Sequence, residues 1–203
     1  MKTIIINADD FGMCKNYNRW ILEMADLWYI TSTSVIVSRI NSDQLEDINK
    51  LKQTNISIGL HIEYFDTNFK FHLDRQYNHF IKIFWLKPSH IDLHGATYKE
   101  EWYKHIEDIC KDEWIACRKY SNKNLKMITN TTINWTHLST EEIEEKIQEF
   151  SEWSYEIFFH PWYKDNLYLS SLQQEREDDI KKIKEIQILL DKYSIKKITY
   201  NDL

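Results

Sequence analysis

Hydrophobic and polar positions along the chain switch repeatedly between a two-residue and a helical period. Thr3-Ile4-Ile5-Ile6 is β-branched throughout and predicts a strand buried on both faces, the kind found in parallel sheets. It breaks into Asn7-Ala8-Asp9-Asp10-Phe11-Gly12. Asn16 to Tyr29 then sets Tyr17, Trp20, Ile21, Met24, Leu27 and Trp28 at helical spacing. Thr31 to Val37 predicts a second strand. Ser42 to Lys52 predicts a short helix capped by Ser42, with Leu45, Ile48 and Leu51 on one side. Ile56 to Ile62 reads as a third strand, whose end delivers His61 and Glu63. The polar, aromatic stretch up to Arg75 predicts a loop, and Tyr77 to Leu86 a short helix stopping before Pro88.

Ser89 to His94 alternates Ile91 and Leu93 against His90, Asp92 and His94, which puts three ligand-type side chains on one face of a strand. Glu100 to Lys119 has a helical pattern, and Leu125 to Thr129 predicts a strand. Ser139 with Glu142 forms a capping-box pattern at a helix start. Tyr155 to Pro161 predicts a strand ending in His160. Leu172 to Tyr193 is a long amphipathic helix, and Ile195 to Tyr200 a closing strand.

The alternation runs without a linker or repeat. It predicts one α/β domain over residues 1–203 with about seven mostly parallel strands. Sites of such folds gather outside the carboxyl ends of the strands. That rule assembles Asp9 and Asp10, His61, the His90/Asp92/His94 group and His160 at one rim. Neighbouring strand residues point to opposite sides, so Asp9 and Asp10 are expected to have different jobs.

Composition narrows the function classes. The 32 Asp+Glu and 26 Lys+Arg are interspersed, with no basic block to suggest a nucleic-acid partner. No window approaches the roughly 18 apolar residues of a membrane span, and the N-terminal apolar run is too short for a signal peptide. Cys14, Cys110 and Cys117 are odd in number and lack CxxC spacing, so neither a disulfide framework nor a cysteine zinc knuckle is expected. A cytoplasmic, reducing location follows as the expectation. Among the 8 Trp, Trp85, Trp102, Trp114, Trp135, Trp153 and Trp162 are candidates for a sugar cleft, and Trp162, beside His160, is the one singled out.

One carboxylate from the first strand and one imidazole from each of two others would hold a zinc-type divalent ion with a position left open for water. A second carboxylate could take the proton of that water, and an imidazole could protonate a leaving group. These parts suit hydrolysis of an amide or an ester. His72, His79, His105 and His137 fall in loops or on helices and receive no role. Two rival classes are a phosphoesterase and a catalytically weak carbohydrate-binding relative. Against the first stands the lack of a companion Arg or Lys cluster, Arg39 and Arg75 being isolated.

Four segments carry a family resemblance. Asn7-Ala8-Asp9-Asp10-Phe11-Gly12, Gly59-Leu60-His61, Pro88-Ser89-His90-Ile91-Asp92-Leu93-His94 and Phe159-His160-Pro161 resemble the signature segments of the YdjC-type carbohydrate (chitooligosaccharide) deacetylases, in the same order and strand context. The tail Arg176 to Leu203 is similar as well. The resemblance implies a (β/α)-barrel-like fold, distorted or incomplete, and metal-dependent removal of an N-acetyl group from an amino sugar. By resemblance, Asp10 is the carboxylate ligand and His61 and His94 are the imidazole ligands. Asp9 is the general base, and His160 occupies the place of a catalytic or site-lining histidine.

The ion so implied is zinc or magnesium, and two imidazoles favour zinc. His90 and Asp92 are candidates to orient His94. An N-acetylated sugar is the expected partner, with a homodimer as one option for assembly. The chain departs from the family in carrying Ala96 and Tyr98 where two further histidines are usual, and Trp162 where Gly follows His-Pro. The segment between His61 and His90 is also short.

Overall fold

The computed structural model describes residues 1–64, 68–95, 100–118, 132–134, 138–151, 154–161 and 173–203. Its centre is β1 (Thr3–Phe11), where Ile4, Ile5 and Ile6 are almost wholly buried. Helices and strands then alternate as α1 (Lys15–Asp26), β2 (Ser32–Val35), α2 (Leu45–Leu51), β3 (Ser57–Ile62), α3 (Phe69–Phe84), β4 (His90–Leu93), α4 (Glu100–Glu113) and β5 (Ala116–Cys117). After them come β6 (Thr132–Asn134), α5 (Thr140–Gln148), β7 (Ser154–Phe159), α6 (Gln173–Lys192) and β8 (Lys196–Lys197).

The strands lie in the order β5-β4-β3-β2-β1-β7-β6, with β8 on the first residues of β1, and each described pair is parallel. The path stays open between β5 and β6 among the described residues. The result is the mostly parallel α/β sheet expected from the alternation, in the incomplete barrel form that the family resemblance implied. Parallel pairing brings every strand's carboxyl end to the same rim, because each crossover helix returns the chain to the opposite edge. No described helix is long and apolar enough to cross a membrane.

Several elements differ from the sequence expectation. The stretch expected as loop before Arg75 already contains the first two turns of α3, because Phe69, Leu73, Tyr77, Phe80 and Phe84 share one buried face. Asn68 caps that helix by accepting from the Phe71 N–H. The helix expected to run to Lys119 stops at Glu113, since Trp114 turns left-handed with φ 56° and releases Ala116–Cys117 to pair with His90–Ile91. The turn ahead of α2 is capped by Asn41 rather than Ser42, in a reciprocal box with Gln44. The expected closing strand pairs only through Lys196–Lys197, and its end coils into a 3-10 turn over Tyr200–Asp202. The strand expected at Leu125 to Thr129 lies outside the described residues. The capping box of Ser139 and Glu142 is present at the start of α5.

The buried polar side chains of Asn7, Ser34, His61, His90 and Asp92 form one connected set of contacts. His90 points inward with its ring stacked on Tyr200, centroids 4.0 Å apart. Gly59 on the neighbouring strand leaves room for that ring, for a Cβ there would sit 2.1 Å from His90 Cε1.

Candidate active site

Within the Asn7 to Gly12 segment, Asn7, Asp9, Asp10, Phe11 and Gly12 each have a physical task. Pairing with β2 slips between Ala8 and Phe11, so three steps on β1 span two on its partner. Asp10 takes φ 73° within this bulge. A bulge re-aims the side chains around it, and a non-glycine residue in this region costs about 1–3 kcal/mol. The strain is held by hydrogen bonds from Met13 N–H to Asp10 O (3.1 Å), Gly12 N–H to Asn18 Oδ1 (2.7 Å) and Ile36 N–H to Phe11 O (2.8 Å). Gly12, at φ 95°, passes so close to Ile36 O that a Cβ would meet it at 2.8 Å. Phe11 anchors the segment in the core.

The bulge also overturns the expectation that Asp9 and Asp10 face opposite sides. Each carboxylate has an oxygen within 4.8 Å of a nitrogen of the same imidazole, His61.

Asp10 Oδ1 lies 3.4 Å from His61 Nε2 and 3.0 Å from His94 Nδ1. It is buried and accepts no hydrogen bond of good geometry among the described residues. Burial would raise the pKa of Asp10, but His61 and His94 outweigh it and hold the carboxyl well below the usual range. The other nitrogen of His61, Nδ1, lies 2.6 Å from Asp92 Oδ1. Burial alone would lower the pKa of His61. Asp92, Asp9 and Asp10 reverse the effect and push it up to about 10. Asp92, expected beside His94, thus meets His61 instead. His90, expected there too, turns inward to Ser34 Oγ (2.9 Å) and Ser89 Oγ (3.0 Å).

Asp9 is held from both ends. Its Oδ1 accepts from Asn7 Nδ2 at 2.6 Å and from Arg118 Nη1 at 2.7 Å, while Oδ2 lies 3.5 Å from His160 Nε2. The backbone N–H of His160 donates to Asp179 Oδ2 at 2.8 Å. Burial lowers the pKa of His160, against the pull of Asp10 and Asp9. Arg118 also contacts Asp92 Oδ2 and lies 2.8 Å from Glu156 Oε1, its guanidinium 4.1 Å from the centre of the Phe158 ring. Burial raises Glu156 to about 7 despite that guanidinium.

Two groups of ligand-type atoms therefore converge, Asp10/His61/His94 and Asp9/His61/Asp92. The first fits a divalent ion: one buried carboxylate oxygen, without a hydrogen bond among the described residues, faces two imidazole nitrogens, and His61 has its other nitrogen fixed by a carboxylate. The second does not fit, because the Arg118 guanidinium already lies against both of its carboxylates.

Residues missed by sequence reasoning are Arg118, Arg176, Glu156 and Tyr200. Arg176 Nη1 donates to Asp10 Oδ2 at 3.0 Å. The expected lack of companion arginines is corrected, since two guanidiniums reach the site, each on a carboxylate. Arg39 is not isolated either, for it pairs with Glu63 at 2.5 Å on the rim. The one signal for Arg118 was the apolar run Ile115-Ala116-Cys117 before it, hidden by reading the helix through it. Trp102 is buried against Phe69 and Tyr64, and Trp85 and Trp114 are exposed. Trp135, Trp153 and Trp162, and the departures at Ala96 and Tyr98, lie outside the described residues.

Fold and rim define an incomplete (β/α) barrel with an Asp-His-His donor set where its strands end. Comparison with known proteins narrows this class. The profile of the family described as YdjC-like protein matches residues 3–70. A carbohydrate deacetylase of Clostridium beijerinckii is 24% identical over 243 aligned positions, covering 98% of this chain and 96% of the relative. A crystal structure from Enterococcus faecalis V583, provisionally described as a cellobiose-phosphate cleavage protein, superposes with a TM-score of 0.83 at 17% identity, covering 99% of this chain and 98% of that one. A family 4 acetyl xylan esterase from Clostridium thermocellum in complex with a cobalt ion shares the fold at TM-score 0.66 and 12% identity, over 99% of this chain and 89% of the esterase. The chain thus resembles the YdjC-like carbohydrate deacetylases, as its motifs indicated.

Proposed function

We propose that this protein is a metal-dependent carbohydrate deacetylase that hydrolyses the N-acetyl group of an amino sugar or oligosaccharide. The observation that carries the reading is the buried Asp10 Oδ1 facing His61 Nε2 and His94 Nδ1, with a second carboxylate, Asp9, beside the same imidazole. The similarity to a carbohydrate deacetylase along nearly the whole chain supports the substrate class. Asp10, His61 and His94 would hold the ion, and two nitrogens with one oxygen favour zinc over magnesium. A bound divalent cation polarises the acetamide carbonyl and lowers the pKa of a nearby water toward about 7.

The chain's own residues do the rest. Asp92 fixes the ring of His61 through Nδ1. Asn7 and Arg118 hold Asp9 by Oδ1, which leaves Oδ2 to take a proton from the water as its oxygen bonds to the acetyl carbon. His160 is kept neutral near pH 7 by burial, so it serves as an acid only after receiving that proton across the 3.5 Å gap from Asp9. The C–N bond then breaks, the proton passes from His160 to the departing amine, and acetate leaves. A phosphoesterase is less well supported, because Arg118 and Arg176 are both engaged by carboxylates.

The test is acetate release from N-acetylated chitooligosaccharides with and without chelator. Chelator-sensitive release supports the reading. Sugar binding with no acetate at any metal loading defeats it.

A further inference from the structure

Asp10 uses its two oxygens differently. Oδ1 faces the imidazoles, and Oδ2 accepts from Arg176 Nη1 at 3.0 Å. Arg176 comes from α6, 166 residues along the chain, and is itself buried. Its guanidinium lies over the ring of Tyr17 on α1, 5.0 Å from the ring centre. A guanidinium seated on an aromatic face is attracted by the ring and loses freedom to swing. Asp10 is thus clamped at the backbone by the bulge and at the far oxygen by a cation that is itself docked on a ring.

We infer that Arg176 is the positioning residue that makes Asp10 a one-oxygen ligand, claiming Oδ2 so that only Oδ1 is offered to a cation held with His61 and His94. The inference rests on the metal-site reading above and deepens it. A carboxylate whose second oxygen is committed to a guanidinium cannot close on an ion with both oxygens. The one coordination position that the second oxygen would fill would stay available for either water or the acetyl oxygen. Arg176 also supplies a buried countercharge for Asp10, beside the imidazoles of His61, His94 and His160.

The experiment is titration of the metal-free protein with Co²⁺, following the visible absorption bands, which strengthen as coordination number falls. In Arg176→Gln the expected result is a folded protein whose Co²⁺ dissociation constant rises about 10- to 100-fold, the usual cost of losing a partner that holds a ligand. Its bands should weaken as Oδ2 joins the ion. Arg176→Lys keeps a donor and a charge on Oδ2 and should recover most of the affinity and band strength, which a purely structural role would not produce.

A folded Gln variant with the wild-type spectrum and affinity overturns the proposal, as does a Lys variant no better than the Gln one. Should the Gln variant not fold, Tyr17→Leu removes the ring under the guanidinium and should shift the bands in the same direction; an unchanged spectrum there also overturns it. Failure of the wild-type protein to bind Co²⁺ would defeat the metal-site reading itself, and this inference with it. A normal wild-type titration with indifferent variants would defeat this inference alone.

Discussion

Arg118 Nη1 lies 2.7 Å from Asp9 Oδ1, and both side chains are almost fully buried. The same nitrogen contacts Asp92, and Nε faces Glu156. One guanidinium thus ties the carboxyl proposed as base to the carboxyl that orients His61. Its removal leaves Asp9, Asp92 and Glu156 without their shared cation, and an abandoned buried charge costs about 3–5 kcal/mol. Arg118→Met is therefore expected to lower the unfolding free energy by about 3–5 kcal/mol, read as a fall in the urea midpoint. A midpoint near that of the wild type would show that water replaces the guanidinium.

Asp9 and Asp10 should separate by assay even though they are adjacent. Asp10→Ala is expected to abolish stoichiometric Zn²⁺ binding and acetate release together. Asp9→Asn should retain the metal and lose turnover by about 10²- to 10⁴-fold, the usual share of a general base. Metal content by atomic absorption with acetate assays on both variants checks this, and full turnover in Asp9→Asn would remove Asp9 from the base role.

Two buried titrations of opposite sign share the interior. Burial pushes His90 from 6.5 down to about 3. The unfolded chain takes up a proton near pH 6.5 that the native ring refuses, so stability present above that pH is lost as pH falls toward 3. Burial raises Glu156 from 4.5 to about 7. Here the unfolded chain gives up its proton first, and stability is lost as pH rises from 4.5 toward 7. Each slope is about 1.4 kcal/mol per pH unit, and the two oppose each other between 4.5 and 6.5. Glu156→Gln should therefore gain stability relative to wild type as pH rises through 4.5 to 7. The difference in urea midpoints across that window checks it, and a flat difference would mean that Glu156 is ionised throughout.

Gly59 and His90 should be coupled. A methyl at position 59 would meet the imidazole at 2.1 Å, so the ring must leave Ser34 and Tyr200. Gly59→Ala is expected to cost about 1–3 kcal/mol as overpacking. In the His90→Ala background the same substitution should cost much less, which a double-mutant cycle by chemical denaturation measures. Additive costs would place the strain elsewhere.

The sequence by itself determined the parallel α/β alternation, the strand ends that carry Asp9, Asp10, His61, His94 and His160, and the family likeness. It could do so because strand and helix periods and turn chemistry are local, and because parallel connections send all carboxyl ends to one rim. It misjudged elements where aromatic residues broke the expected pattern, as at Phe69 and Trp114. Only the tertiary structure decided that a bulge turns Asp9 and Asp10 toward one imidazole, that Asp92 serves His61 rather than His94, and that Arg118 and Arg176 arrive from 109 and 166 residues away to hold the two carboxylates. The physical reason is that register slips and the pairing of buried charges depend on which surfaces meet when the layers pack, and no local pattern records that.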